Sequence, residues 1–287
     1  RDTSHYGLDY LSGLLRMNNK RNINNIARKT GVPEQNMQQF ISDSPWSGYN
    51  VITTLQQDIG HHPQFQEESV LVIDESADEK AGEYSAGAGR QHNGRLGKVE
   101  MSQVGVFLSL VNNGYHTWVD GELYFPEKWF SANYAEQRKK IGMPTERTFA
   151  TKLELASQMV ERVHENGLPF CAIDCDSLYG RAGWLRDTFD QAGFEYYGDV
   201  PSNIELYLSR PVVTYPLTKK GTSAKNPEII GVSYTPQALE NHSQTQWETI
   251  TLRPNERGFL QAKFARLRVW TVRDDDTLRT EWLLFRQ

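Results

Sequence analysis

Two aspartates that close apolar runs offer the clearest chemistry in this 287-residue sequence. VLVIDES (70–76) passes from four apolar residues into Asp74, and PFCAIDCDSLYG (169–180) passes through Ile173 into Asp174 and Asp176. Open α/β sheets hold their chemistry just outside the carboxyl ends of their strands. Carboxylates delivered there from two strands can share divalent metal ions, which support in-line attack on a phosphodiester. An aspartate after a strand is also ordinary turn chemistry, so one alone carries little. The pair points to a metal-dependent enzyme acting on nucleic acid. Glu75 and Asp78 are read as shaping the loop beyond Asp74.

The composition must allow such a site. Hydrophobic residues at 38% and charged residues at 23% fit a globular chain with a full core and one or two domains, and do not fit a disordered one. No apolar run approaches the roughly 20 residues that span a bilayer, and no signal peptide opens the chain. Cys171 and Cys175 have the wrong number and spacing for a zinc site, and read as reduced, mostly buried thiols of a cytoplasmic protein. The adjacent His61 and His62 point different ways in most backbones and are read as surface or packing residues. A net charge of −5 argues against nucleic-acid binding, so the local distribution has to carry that reading. Basic clusters occur at Arg90, Arg95 and Lys98, at Arg138, Lys139 and Lys140, and at Lys219, Lys220 and Lys225. Each is compatible with a phosphate path and equally with a solvated surface.

The elements that would position the aspartates follow from periodicity. Residues 1–66 read as helical, with Leu8, Leu11, Leu14 and Leu15 at helix spacing. IARKTGVPEQNMQQFIS (26–42) reads as helix, turn at Gly31 and second helix, with Pro33 in its first turn. That is the layout of a helix-turn-helix, whose exposed Asn36, Gln38 and Gln39 would face DNA; a plain helical hairpin fits equally well. Strands are expected at 70–73, 103–111 and 115–125, the last two joined by Asn112, Asn113 and Gly114. The glycine-rich segment 82–100 lacks GxxxxGK[ST], so it reads as a flexible loop rather than a nucleotide cradle. A helix over 151–167, the second aspartate strand, a helix over 181–192 and a strand over 194–200 complete an antiparallel meander followed by parallel returns. From 201 onward the runs are β-like and separated by polar turns. Trp118, Trp129, Trp184 and Trp270 read as core or interface aromatics, any one of which could stack on an unpaired base.

A three-strand meander, a helix and a fourth strand form the ribonuclease-H-like arrangement, in which the first and fourth strands lie side by side. The sequence resembles bacterial insertion-sequence transposases of the DDE superfamily. The resemblance is carried by SDSPW (42–46), VLVIDES, GAGRQHNGRLGKVEMSQVGV (87–106), DGELYFPEKW (120–129), DCDSLYGR (174–181) and EWLLFRQ (281–287), in the family's order. It implies an α/β fold: a ribonuclease-H-like mixed sheet flanked by helices, with a helical DNA-binding domain over 1–66, a catalytic domain over 67–200 and a β-rich insertion over 201–287. The catalytic domain would continue beyond Gln287. It implies Asp74 and Asp176 as catalytic and metal-holding acids, with Asp174 as a substitute for the second, and two Mg2+ (or Mn2+) ions. It further implies double-stranded transposon ends and target DNA as partners, a homodimer on DNA and a bacterial cytoplasmic location.

The family's third acid is a glutamate in a Y-x2-R-x3-E pattern on a later helix. Tyr207 and Arg210 match its first half, but Thr214 stands in the glutamate's place, and Glu281 falls in a strand-like run. Both ends of the chain read as cut. Three functions therefore stay open. The first is a DNA transposase cleaving DNA and transferring strands of an insertion sequence. The second is a catalytically inactive, transposase-derived DNA-binding or adaptor protein. The third is an unrelated metal-dependent phosphatase or nuclease.

Overall fold

The computed structural model describes residues 2–66, 68–217, 222–256 and 258–287; Lys219 and Lys220 of the third basic cluster lie outside them. The chain divides into two compact units, Arg1–Thr54 and Leu55–Gln287.

In the first unit α1 (Ser4–Arg16), α2 (Ile23–Thr30) and α3 (Glu34–Asp43) close around Ile26, Ala27 and Met37, all fully buried. The Asn22 side chain caps α2 by accepting the amide of Asn25. α4 (Gly48–Gly60) carries the chain from one unit into the other.

The second unit is built on a six-stranded sheet of β1 (Val70–Glu79), β2 (Gly89–Asn93), β3 (Lys98–Asn112), β4 (Tyr115–Tyr124), β5 (Ala172–Cys175) and β6 (Glu195–Gly198). β3 pairs antiparallel with β1 on one side and with β2 and then β4 on the other. β1, β5 and β6 run parallel. The mixed ribonuclease-H-like sheet is thus present, with the first and fourth core strands (β1 and β5) side by side. The β3–β4 turn places Asn113 and Gly114 at φ +47° and +88°, the left-handed pair that a two-residue hairpin needs.

Two expectations need correction. β1 does not end at Ile73 but runs to Glu79, held by a continuous antiparallel ladder to β3. The glycine-rich segment is not a flexible loop, since β2 and the start of β3 form a hairpin within it. Antiparallel pairing supplies a strand's hydrogen bonds whatever its side chains, so an acidic stretch with little intrinsic strand preference is still held extended.

Between β4 and β5 lie α5 (Ala135–Lys140) and α6 (Lys152–Glu165). Thr151 and Glu154 form a reciprocal capping box at the start of α6. Leu155, Ala156, Met159, Val160 and Val163 of α6 then pack on Leu71, Ile73, Leu108 and Leu110 of the sheet. Arg162 reaches from the same helix to the buried Asp120 at 2.7 Å, and Gln56 and Asn166 complete the polar contacts there. After β5 come α7 (Ser177–Gly180) and α8 (Gly183–Gln191), which contribute Tyr179, Leu185 and Phe189 to the same core.

The rest is β-rich: β7 (Leu206–Tyr207), β8 (Val212–Thr214), β9 (Glu228–Ile230), β10 (Ser233–Tyr234), a short α9 (Pro236–Glu240), β11 (Glu248–Asn255), β12 (Gly258–Val272) and β13 (Leu278–Arg286). β10, β7, β12, β11 and β13 form one sheet, whose inner face packs Leu206, Leu239, Leu267, Val269 and Leu283 together. No helix among the described residues is long and apolar enough to cross a membrane.

Candidate active site

Asp74 sits in mid-strand, at the point where β1 stops pairing with β5. The parallel ladder ends at Ile73 beside Cys175 and Cys175 beside Gly198. One step further along the same three strands are Asp74, Asp176 and Asp199. Side chains alternate between the two faces of a sheet, so Asp74 points away from Ile73 and the α6 core, and is exposed. Asp174 lies opposite Val72 and Tyr197, one pair behind Asp176. Asp176 is therefore the acid that register sets beside Asp74.

Asp176 is fixed by a second device. It is the N-cap of α7, its Oδ1 accepting the amide of Leu178 at 2.9 Å. The turn that follows is possible only with glycine. A Cβ on Gly180 would stand 2.2 Å from the Asp199 carbonyl oxygen, and one on Gly198 2.8 Å from the Gly180 Cα. α7 is thereby pressed backbone to backbone against the end of β6, which brings Asp199 beside α7 and Asp174. Sequence reading missed Asp199; its only signal was an acid two residues before Pro201, after the last parallel strand.

The two principal carboxylates carry no ion pair among the described residues. Asp74 Oδ1 takes the amide of Glu75, Asp176 Oδ1 takes that of Leu178, and the second oxygen of each has no protein donor there. Ionised carboxylates with a free oxygen are hard, acceptor-only ligands, which suits Mg2+ or Mn2+. No group of three or more His, Cys, Asp and Glu is placed to hold a metal ion among the described residues.

Glu75 does more than shape a loop. It faces the core side of β1, where Lys152 Nζ lies 2.8 Å away and the Tyr179 hydroxyl donates to it at 3.2 Å. This bond joins β1 to α7 directly behind the acids. Burial, Glu75 and the charges of Asp176 and Asp74 all push the Tyr179 hydroxyl well above its usual range, so it stays a donor. Burial and Asp199 raise Asp174. Burial and the three flanking aspartates push the Cys175 thiol up to about 12, leaving it inert. Cys171, by contrast, is exposed rather than buried.

The remaining candidates are scattered. Arg90 (β2) and Arg95 (the turn after it) are exposed, and Lys98 pairs with Glu100 at 3.2 Å. Asn36 is half-buried and donates to the Tyr6 hydroxyl, Gln38 is exposed with its amide on Ser42, and Gln39 is exposed. Arg138 holds the carbonyls of Trp129 and Ser131. His61 and His62 make only local contacts. Trp129 is fully buried, whereas Trp118 is 57% exposed and meets Phe107 edge-on. Tyr207 and Thr214 lie in strands rather than on a helix, so the Y-x2-R pattern there is coincidental. Glu281, on β13, is enclosed by Arg186, Arg273, Tyr196 and Thr271. Its role is structural.

The sequence pattern of DDE superfamily endonucleases matches residues 1–258. The probable transposase for insertion sequence element IS701 of Microchaete diplosiphon is 26% identical over 186 residues, covering 64% of this chain and 45% of that protein. The chain thus spans under half the length of that relative. Among solved structures, the Drosophila P element transposase strand transfer complex is similar at 12% identity and a TM-score of 0.34, over 78% of this chain and 48% of that one. The Mos1 strand transfer complex is similar at 11% identity and a TM-score of 0.22, over 68% and 57%.

Proposed function

Because the chain belongs to the DDE superfamily endonucleases, we propose that it is a DNA transposase of insertion-sequence type, with Asp74 and Asp176 as its metal-holding catalytic acids. The observation that carries this reading is the parallel register of β1 and β5, which runs to Ile73 beside Cys175 and so leads on each chain segment directly into one of these two unpaired carboxylates. Two divalent ions, Mg2+ or Mn2+, would supply Lewis acidity toward the phosphodiester.

The protein's own residues supply position. β1 holds Asp74 through its ladder to β3, α7 holds Asp176 through its cap, and the Glu75–Tyr179 bond locks the two elements together. Asp74 and Asp176 are both exposed, on residues that follow the core-facing Ile73 and Cys175. Arg90, Arg95 and Lys98 would meet backbone phosphates, while Gln38 and Gln39 with Asn36 on α3 would face a DNA groove. In domain terms, 1–66 would bind DNA, 67–200 would cleave, and 201–287 would be an insertion in the catalytic domain. The substrate would be double-stranded transposon ends and target DNA, handled by a homodimer in the bacterial cytoplasm.

A second reading, a DNA-binding or adaptor protein without catalysis, is favoured by one observation: among the described residues no group of three or more His, Cys, Asp and Glu is placed to hold a metal ion. One experiment separates the two. With Mg2+ and a plasmid carrying the element's ends, wild-type protein should nick DNA. Asp74→Asn and Asp176→Asn should each lower that rate by at least about a thousandfold, with DNA affinity within about twofold of wild type. Wild-type cleavage by either variant would refute the assignment of the acids. Binding without cleavage by the wild type would favour the second reading.

A further inference from the structure

The outer face of the β-rich sheet carries an arrangement that the cleavage site does not use. Along β12 the buried residues are Ala265, Leu267, Val269 and Thr271, so Phe264, Arg266, Arg268 and Trp270 point the other way. The antiparallel register sets Arg286 beside Phe264, Leu284 beside Arg266 and Trp282 beside Arg268 on that same face. The Arg266 and Arg268 guanidiniums lie over the Trp282 ring, at 5.1 and 5.2 Å from its centre. Arg286 lies over Phe264 at 6.0 Å, and Arg210 over Trp270 at 5.5 Å. Trp282 is 58% exposed and Leu284 53% exposed.

Charge and shape together indicate the ligand. None of these four arginines has a carboxylate partner among the described residues, although the chain carries more acids than bases. The acids beside this face are Glu248, next to Phe264, and Glu205, bonded to the Tyr207 that pairs with Trp270, and among the described residues neither pairs with an arginine of the face. A protein does not need to leave cationic groups unpaired over aromatic rings to stay folded, and here the apolar inner face already holds the sheet together. Arg266 and Arg268 are two residues apart on one strand, about 7 Å along it. Exposed planar rings beside guanidinium planes suit the flat faces of nucleobases, while the charges suit phosphates. An acidic protein could satisfy the charges and cover the indole as well, but guanidiniums flanking a single exposed ring match the alternation of phosphate and base along one strand.

We propose that this face, centred on Trp282 with Arg266 and Arg268, binds an unpaired stretch of DNA strand, with Trp282 stacking on a base and the arginines holding its phosphates. The proposal rests on the reading that the chain handles DNA, and it adds a single-strand site carried by β12 and β13, separate from Asp74 and Asp176.

The test measures fluorescence anisotropy of a labelled 15-nucleotide oligothymidine, and of the corresponding duplex, with the whole chain. Trp282→Ala is expected to weaken single-strand binding about tenfold or more and duplex binding much less, while Trp282→Phe retains most of the affinity. The double variant R266Q/R268Q is expected to weaken it too, and to flatten the log–log salt dependence by about 0.7 per arginine removed. All three side chains are on the outer face, so circular dichroism and melting temperature should match wild type. Wild-type binding that survives both W282A and R266Q/R268Q undiminished overturns the proposal alone, and leaves the face to an acidic protein partner. A wild-type chain that binds neither form of DNA overturns the DNA reading with it.

Discussion

Replacing Glu281 by glutamine tests the claim that this carboxylate is a structural clasp. It accepts hydrogen bonds from Arg186 of α8 at 2.8 Å, Tyr196 of β6 at 2.9 Å and Thr271 of β12 at 2.7 Å. Arg273 makes two more, both at 2.9 Å. The β-rich sheet is thereby fastened to the element that follows the second aspartate. Burial opposes ionisation, but the hydrogen bonds of Arg273 and the charges of Arg186 and Arg273 outweigh it and hold the carboxyl at about 2, against an ordinary 4.5. At about 1.36 kcal/mol per tenfold in proton affinity, that difference is worth about 3 kcal/mol. Neutralising Glu281 also strands the Arg186 guanidinium, 7% exposed, and leaves the buried Arg273 only Asp187 at 3.1 Å, and breaking a buried pair from one side costs about 3–5 kcal/mol. The folded carboxyl is more acidic than the unfolded one, so its contribution is full above about pH 5 and fades as pH falls toward 2. Urea unfolding followed through tryptophan fluorescence should therefore show Glu281→Gln about 3 kcal/mol less stable than wild type at pH 7. The gap should shrink steadily between pH 5 and pH 2. A gap below about 0.5 kcal/mol at pH 7, or one that does not change with pH, would refute the clasp. A variant of wild-type stability that no longer cleaves DNA would instead make Glu281 a catalytic acid.

Gly180→Ala should shift the melting temperature down by about 5–10 °C and lower cleavage with it. The new methyl meets a backbone carbonyl that cannot yield, overpacking costs about 1–3 kcal/mol or more, and α7 carries Asp176. Differential scanning calorimetry would check it, and an unchanged transition would show that the α7–β6 contact is loose. Arg162→Met should cost about 3–5 kcal/mol in chemical denaturation, because it leaves the buried Asp120 carboxylate without its cation. Adding Asp120→Asn should recover part of that loss, and strictly additive effects would show that the two side chains are not coupled. Asp74→Asn and Asp176→Asn remain the direct probes of chemistry, read as cleavage lost with binding kept.

Local signals in the sequence determined the pieces. The apolar runs at 70–73 and 170–173, the Asn113-Gly114 turn, the Thr151–Glu154 cap and the period of α6 each specify an element from neighbouring residues alone. The acids that follow these apolar runs could be seen for the same reason. Pairing was not visible in this way. Whether β1 stopped at Asp74 or ran to Glu79 depended on β3, about 30 residues away, offering its backbone groups. Whether Asp174 or Asp176 came level with Asp74 depended on a parallel register between strands about 100 residues apart, which a two-residue slip would have exchanged. Glu75 became a brace and Asp199 a neighbour of α7 only through contacts made by α6, α7 and β6. Glu281 looked like any acid in a strand until four partners from distant segments enclosed it. The arginines and tryptophan of β12 and β13 likewise shared a face only once the strands were paired. Periodicity is a property of adjacent residues and can be read along the chain, whereas register, charge pairing and the exposure of a face exist only between segments that folding brings together.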